Sequence, residues 1–350
     1  MEGILRMSRN KTIILYDGDS IAFRVAAVTE ARTVDITHIK SGRTKEFKTR
    51  TELKKSVEQK GLVYNKEDFT YEDKRVAQPI QNTLAILKNQ IKRINEDLFA
   101  DDYLICLSGK SNFRDLLPLP TKYKGSRIGI EKPINLLEAK MYLWKNHPSL
   151  LANNREADDD LIIKGYEYLN KGYEVILASQ DKDAFAYTGL NLYDFTQEKP
   201  ELKLVPDFGS LWINEQNKLK TVKGNGFIWF CFQWLFGDPA DDYNPCDIAK
   251  IKYGQMSAYK LLKDCKTHQE ALQQVISMYK VWYPQKFTYT AWDGSMHEAD
   301  YVSMLQLYFR CARMMTTEND TLDLSEFLDK YGVKLRGLYN RKFRSFLKGV

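Results

Sequence analysis

Cysteine and histidine are scarce in this 350-residue sequence, and neither shows the spacing of a zinc site. The five cysteines include no CxxC pair and lie mostly among apolar residues, which indicates reduced thiols in a cytoplasmic protein. The four histidines are scattered, which argues against zinc. Long apolar runs are also lacking. The longest, Phe227–Phe236, is about half the length of a membrane-spanning helix, and it predicts a core helix.

A large excess of charge of one sign is absent, because 52 Lys and Arg residues face 46 Asp and Glu residues, for a net charge of +6. This mild excess is compatible with a polyanionic partner if the positive charges cluster. Two stretches, 40–60 and 331–350, are locally basic. Such runs either face solvent or contact phosphates, and the sequence leaves both interpretations open.

The order of apolar and polar segments predicts an α/β fold with a mostly parallel central sheet flanked by helices. Short apolar runs typical of buried parallel strands occupy residues 12–16, 103–107, 174–179 and 190–195. Helical patterns lie between them at about 77–99, 134–146 and 158–170. The chain therefore alternates strand and helix over its first half.

Two other segments depart from this alternation. Residues 34–50 predict a polar hairpin that turns at Ser41-Gly42. From about residue 220 onward the strand signal fades and the chain is mainly helical. We therefore predict two regions, 1–220 and 221–350.

Acidic residues follow two of the predicted strands. Asp17 ends the first strand, with Asp19 two residues later, and Asp181 and Asp183 follow the strand at 174–179. In open α/β sheets, binding sites form at the carboxyl ends of the strands. These acids are therefore either the polar loops after buried strands or parts of a charged site.

Two more acidic clusters lie elsewhere, at the start of a helix (residues 156–160) and in a turn after the aromatic run (residues 238–242). Alone, the first is typical of a helix N-terminus and the second of a turn. Together the four clusters would repel one another, since two unit charges about 4 Å apart cost about 4 kcal/mol at an effective dielectric near 20. Carboxylate clusters of this kind select Mg²⁺ or Mn²⁺.

The order of these blocks resembles that of the flap endonuclease/5′→3′ exonuclease family, and most of all its phage-encoded exonucleases. The blocks are YDGD, READD, SQDKD and GDPADD, and FRDLLPLPTKYKGSR (113–127) is similar to the family's FR…YKxxR segment. The resemblance spans residues 13–242. It implies a PIN-like nuclease domain with an arch or gateway at about 113–150, and a helix–three-turn–helix-like DNA-binding segment in the C-terminal region.

The resemblance also implies two Mg²⁺ or Mn²⁺ ions held by eight acids. Four would hold the first ion: Asp17, Glu156, Asp158 and Asp159. Four would hold or orient the second: Asp181, Asp183, Asp238 and Asp241. The expected partners are DNA and RNA–DNA hybrids, the expected reaction is phosphodiester hydrolysis, and the expected state is a monomer.

Basic and aromatic residues receive roles in the same way. Lys124 would stabilise developing charge on the phosphate, and Arg114 and Arg127 would contact phosphate oxygens. Tyr123 either stacks on a terminal base or packs in the core. The helix–three-turn–helix is represented by YGQMSAYKLL, with three candidate DNA contacts: Gly254, Ser257 and Lys260.

One expected acid is missing. The family has an aspartate after its second strand, where this chain has Leu107, Ser108 and Gly109. A catalytically weakened nucleic-acid-binding relative is therefore one alternative. The other is a haloacid-dehalogenase-type phosphatase, in which Asp17 would be the nucleophile and Asp19 the acid, although that function leaves three of the blocks unexplained.

Overall fold

The computed structural model describes residues 10–216 and 219–335, and all structural statements concern these residues. The strands, in chain order, are β1 Thr12–Asp17, β2 Glu30–His38, β3 Arg43–Phe47, β4 Phe69–Ala77, β5 Asp102–Leu107, β6 Ser149–Leu151, β7 Glu174–Ala178, β8 Asn191–Tyr193, β9 Leu202–Leu204, β10 Ser210–Gln216, β11 Leu219–Asn225, β12 Phe287–Thr290 and β13 Met296–Ala299.

The helices, also in chain order, are α1 Gly18–Val28, α2 Arg50–Glu58, α3 Ile80–Asp97, α4 Leu136–Asn146, α5 Ala157–Asn170, α6 Gly226–Phe236, α7 Gln255–Leu262, α8 His268–Trp282, α9 Tyr301–Ala312 and α10 Leu324–Lys330. The three predicted helices of the first half correspond to α3, α4 and α5. α3 begins later than predicted because Pro79 precedes its first turn.

The central sheet confirms the predicted α/β fold. Its strand order is β6-β5-β1-β7-β8-β9, with parallel pairing throughout except at β9, which is antiparallel to β8. β1 lies in the middle and is buried along its whole length, as its apolar sequence requires. The carboxyl ends of β1, β5 and β7 therefore meet at one edge of the sheet.

Helices cover both faces of this sheet. Alternate residues of β1 point to opposite faces, so that Ile14 and Tyr16 pack with α1, α3 and α4, while Ile13 and Leu15 pack with α5. α4 buries Ala139 and Leu143 in the first of these cores. That part of the predicted arch segment 113–150 therefore lies in the layer over the sheet.

The predicted polar hairpin is present as β2 and β3, with Gly42 at a φ of 63° in its turn. β4, which the sequence analysis missed, adds a third strand on the other side of β2. Buried Glu30 connects this small sheet to the chain before α4, since it accepts hydrogen bonds from the Arg75 guanidinium and from the backbone N–H of Ile134 at 2.6 Å.

The C-terminal region is mainly helical, as predicted, with two additional hairpins, β10–β11 and β12–β13. The aromatic run forms α6, whose residues are buried from Gly226 to Leu235, including fully buried Trp234. This confirms the predicted core helix. In the described part of the chain no helix is long and apolar enough to cross a membrane. Most of the basic stretch 331–350 lies outside the described residues. The division into two domains at residue 220 stays a prediction.

Candidate metal centre

Two carboxylates lie side by side at the carboxyl edge of the sheet. Asp17 ends β1 and caps α1, where it accepts a hydrogen bond from the Ser20 backbone N–H at 2.9 Å. The Ser179 hydroxyl donates to its other oxygen at 3.2 Å and accepts from the Asp181 backbone N–H at 3.0 Å. Ser179 thus bridges Asp17 and Asp181, which follow neighbouring parallel strands.

A third carboxylate approaches from the start of α5. Burial raises the pKa of Asp158 well above its usual range, and the charges of Asp17 and Asp181 raise it further. Burial raises the pKa values of Asp17 and Asp181 as well. These three acids are therefore close enough to oppose one another's ionisation, as expected of carboxylates that share a cation site.

A second group of acids lies next to the first. Asp183, Asp238 and Asp241 each offer a carboxylate oxygen, and these oxygens lie within 4.8 Å of one another. The Ala240 backbone N–H fixes Asp238 at 2.8 Å, and the Gln233 side-chain amide donates to Asp183. Burial, followed by the charge of Asp181, raises the pKa of Asp183 well above its usual range. The 3-10 turn after β7 and the loop after α6 thus meet.

Three cations partly neutralise these acids. Lys124, at a φ of 51°, forms an ion pair with Glu156 and lies 3.8 Å from the Asp241 carboxylate. The Arg127 guanidinium binds Asp241 at 2.7 Å. Lys182 binds Asp238 at 2.8 Å. The predicted segment 123–127 is therefore placed against the acids.

The donor set fits hard divalent cations. Within residues 10–216 and 219–335, the group whose oxygens converge contains aspartates alone, with no histidine or cysteine. All-oxygen carboxylate sites are typical of Mg²⁺ and Mn²⁺, and two ions a few ångströms apart are typical of phosphodiester hydrolysis. The two neighbouring groups of acids therefore suit hard divalent cations.

Asp159 and Arg114 require a correction. Asp159 is fully buried, and its two oxygens accept four hydrogen bonds: two from the Arg114 guanidinium, one from the Met315 backbone N–H and one from the Glu156 backbone N–H. Burial opposes ionisation, but the Arg114 charge is close enough to lower the pKa of Asp159. No lone pair is left for a metal, and Arg114, 2% exposed, cannot reach a substrate phosphate.

Tyr123 also requires a correction. Its side chain is 3% exposed, and its ring stacks on that of Tyr243 with centroids 6.4 Å apart. Its hydroxyl lies 3.1 Å from Glu156 and 2.9 Å from Asp241. The packing alternative is therefore the correct one, and Tyr123 holds two acidic side chains in place instead of stacking on a base.

The three predicted DNA contacts of the C-terminal region lie at the start of α7. Gly254 is the N-cap residue, Ser257 lies in the first turn, and Lys260 lies one turn later; all three are exposed. Gln255, beside them, donates to the Lys220 carbonyl and accepts from the Val222 backbone N–H, which fixes α7 against β11. Their role in DNA binding stays a prediction.

At Gly109, one of the three residues where the expected acid is missing, the backbone is crowded. A Cβ atom on Gly109 would lie 2.1 Å from the Ala152 carbonyl oxygen. Ser108 instead places its backbone N–H 3.3 Å from the Asp19 carboxylate and its hydroxyl 3.3 Å from the Ala157 backbone N–H. No side chain fits at Gly109, so that glycine is a steric requirement of the loop.

Sequence reasoning missed three residues that hold the acids: Ser179, Lys182 and Gln233. Lys182 lies inside a predicted block, and its place between two acids was a signal that it faces them. Gln233 is a polar residue within the apolar run of α6, which is a signal of a buried hydrogen bond. For Ser179 the sequence offers no such signal.

No protein-family model matches the chain, and no curated protein matches its sequence. Solved structures do match. The chain is similar to bacteriophage T5 5′-exonuclease with bound zinc ions, at 13% identity and a TM-score of 0.45, over 96% of this chain and 100% of that chain.

It is also similar to bacteriophage T5 flap endonuclease in a pseudo-enzyme–product complex with DNA and metal ions, at 14% identity and a TM-score of 0.44, over 97% of this chain and 100% of that chain. These proteins are of the kind that the motif order resembles. At these low identities and TM-scores, the likeness establishes no activity for this chain.

Proposed function

We propose that this chain is a divalent-metal-dependent nuclease that hydrolyses phosphodiester bonds of DNA from a 5′ end, as a 5′→3′ exonuclease or flap endonuclease, with RNA–DNA hybrids as further substrates. The observation that carries this proposal is the convergence of the Asp183, Asp238 and Asp241 oxygens within 4.8 Å, next to the group of Asp17, Asp158 and Asp181. Phage DNA replication or degradation is the process in which we place it.

Two bound ions would activate a water molecule and stabilise the leaving oxygen of the phosphodiester. In this proposal the two groups of aspartates bind the ions. Tyr123 and Gln233 hold carboxylate side chains in position through hydrogen bonds. Lys124, whose pKa the neighbouring Glu156 and Asp241 carboxylates raise against the effect of its burial, stays protonated and stabilises charge on the phosphate. Arg127, about half exposed, suits a phosphate contact.

The phosphatase alternative requires Asp19 to act as an acid. The Lys140 ammonium lies 2.7 Å from the Asp19 carboxylate, so that carboxylate is engaged in an ion pair. That contact argues against the alternative. The non-catalytic relative, in contrast, is favoured by one observation, the absence of an acid beside Gly109.

One assay separates the three functions. The full-length protein is incubated with end-labelled duplex, 5′-flap and RNA–DNA substrates in Mg²⁺, in Mn²⁺ and in EDTA, and in parallel with an aryl phosphate. We expect products that start from the 5′ end, with Mg²⁺ or Mn²⁺ and not with EDTA. Binding without cleavage would identify the non-catalytic relative, and turnover of the aryl phosphate without DNA cleavage would identify the phosphatase. Degradation from the 3′ end would reject the proposed polarity.

Lys124→Ala is expected to lower the single-turnover cleavage rate by about 10²–10³, since the loss of one preorganised charge contact typically costs about 2.7–4 kcal/mol in the transition state. DNA binding should change far less. Lys122→Ala is the matched control, because Lys122 has the same charge two residues away and contacts the Trp292 ring, 4.7 Å from its centroid, instead of the acids. If the two substitutions lower the cleavage rate equally, the assignment of Lys124 to the active site is wrong.

A further inference from the structure

Lys182 is one of the cations that contact the second group of aspartates. It lies between Asp181 and Asp183 in the sequence, and its ammonium is 2.8 Å from Oδ2 of Asp238. The Trp229 indole N–H donates to the Lys182 carbonyl at 3.0 Å, which fixes the backbone of this turn. The side chain therefore starts from a fixed point next to the three converging carboxylates.

The Lys182 ammonium occupies the oxygen that a metal ion would need. Asp238 is 3% exposed, and its other oxygen, Oδ1, accepts the Ala240 backbone N–H at 2.8 Å. A divalent cation bound to Oδ2 would lie within about 4 Å of the ammonium, where like charges repel strongly. Lys182 and a divalent ion therefore compete for the same carboxylate oxygen.

The Lys182 side chain is free to leave, because it is 46% exposed, whereas the Lys124 side chain is 23% exposed. A lysine carries a compact charge on a flexible stem of four carbons, so the ammonium can move while the backbone stays fixed. When the Lys182 ammonium leaves Asp238, the fixed backbone keeps it beside the metal centre, where the proposed function places the substrate phosphate. A phosphate there would replace the lost carboxylate partner.

We propose that Lys182 is a tethered counter-ion of the metal centre: it neutralises Asp238 in the metal-free protein, yields that oxygen to the divalent ion, and then binds the substrate phosphate. This inference rests on the proposed function, because it takes the aspartates as metal ligands. It explains how a partly buried group of acids stays folded before the metal arrives. It also couples metal binding to substrate binding through one side chain.

The substitution Lys182→Met tests the competition without using cleavage. We expect Lys182→Met to bind Mn²⁺ roughly tenfold more tightly than the parent in calorimetric titrations without DNA, since a competing positive charge has been removed. We expect Lys182→Arg, which keeps the charge, to bind Mn²⁺ like the parent. Lys145→Met is the matched control, because it removes the same charge from the exposed side of α4. Thermal unfolding in EDTA establishes that each variant is folded.

The second readout is DNA binding, measured in Ca²⁺ with a 5′-phosphorylated duplex. Here Lys182→Met should bind more weakly than the parent although it binds the metal more tightly. This opposite pair of changes is the signature of a counter-ion that exchanges partners, and a merely structural lysine would not produce it.

The outcomes distinguish this inference from the proposed function. If the parent binds no Mn²⁺, the metal centre itself is wrong and both proposals fall. If the parent binds Mn²⁺ and Lys182→Met binds it equally or more weakly, the counter-ion role is wrong while the nuclease proposal stands. If Lys182→Met and Lys145→Met increase the affinity for Mn²⁺ equally, the effect comes from net charge alone and the inference is wrong.

Discussion

Asp183→Asn abolishes nuclease activity and leaves the fold as stable as the parent protein or more stable: this is the result that we expect from the second group of aspartates. The substitution removes a proposed metal ligand, so single-turnover cleavage of a 5′-labelled duplex in Mg²⁺ should fall below detection. It also removes a negative charge that burial and Asp181 oppose, which is why the pKa of Asp183 is raised. The amide oxygen of Asn still accepts the hydrogen bond from Gln233.

The gain in stability should depend on pH in a defined direction. Because the pKa of Asp183 is raised above its usual 3.8, its ionisation costs the folded protein stability at higher pH. The advantage of Asp183→Asn should therefore be absent below about pH 3.8 and grow as the pH rises, measured by thermal unfolding in EDTA. Asp264→Asn, on the surface with a side chain 79% exposed, is the control and should show neither effect. An Asp183→Asn protein that cleaves at the parent's rate would refute the site.

Arg114→Leu is expected to lower the free energy of unfolding by about 3–5 kcal/mol, because it leaves the buried Asp159 carboxylate without its partner. Arg114 also donates to the backbone carbonyls of Arg310 at 3.2 Å and Arg313 at 2.8 Å, so the substitution weakens the contact between the segment at Arg114 and the end of α9. Chemical denaturation in EDTA measures the loss.

The double substitution Arg114→Leu with Asp159→Leu should lose much less stability than the sum of the two single substitutions, since it removes both buried charges together. Arg127→Leu is the comparison, because the Arg127 side chain is about half exposed and its ion pair with Asp241 should contribute only about 0–1 kcal/mol. Additive losses at Arg114 and Asp159 would mean that the two side chains stabilise the fold independently.

The buried strands and the grouping of the acids that follow them were predictable because both follow from local pattern. β1, β5 and β7 are continuous apolar runs, and acids placed after parallel strands must meet at the carboxyl edge. The acids at the start of α5 do not follow a strand, so their place in the site could be predicted only with the help of the motif order. The small sheet was only partly predictable, since β4 is a polar, exposed strand with no apolar alternation to reveal it.

The roles of individual acids were less predictable, because neighbouring residues of one helix point in different directions. Asp158 and Asp159 are adjacent in the same motif, yet Asp158 faces Asp17 while Asp159 faces Arg114. A one-residue step on a helix turns a side chain by about 100°. Motif matching assigns both to metal, and only the contacts between α5 and the segment at Arg114 separate them. For Tyr123 the sequence left base stacking and core packing open, since the burial of a single aromatic residue cannot be read from its sequence.

Gly109 also limits how the loop after β5 can be altered. A Cβ atom at position 109 would lie 2.1 Å from the Ala152 carbonyl oxygen, so any side chain there collides with backbone. An engineer who wishes to restore an acid in this loop therefore has to place it at position 107 or 108, or first to remodel the chain that follows β6.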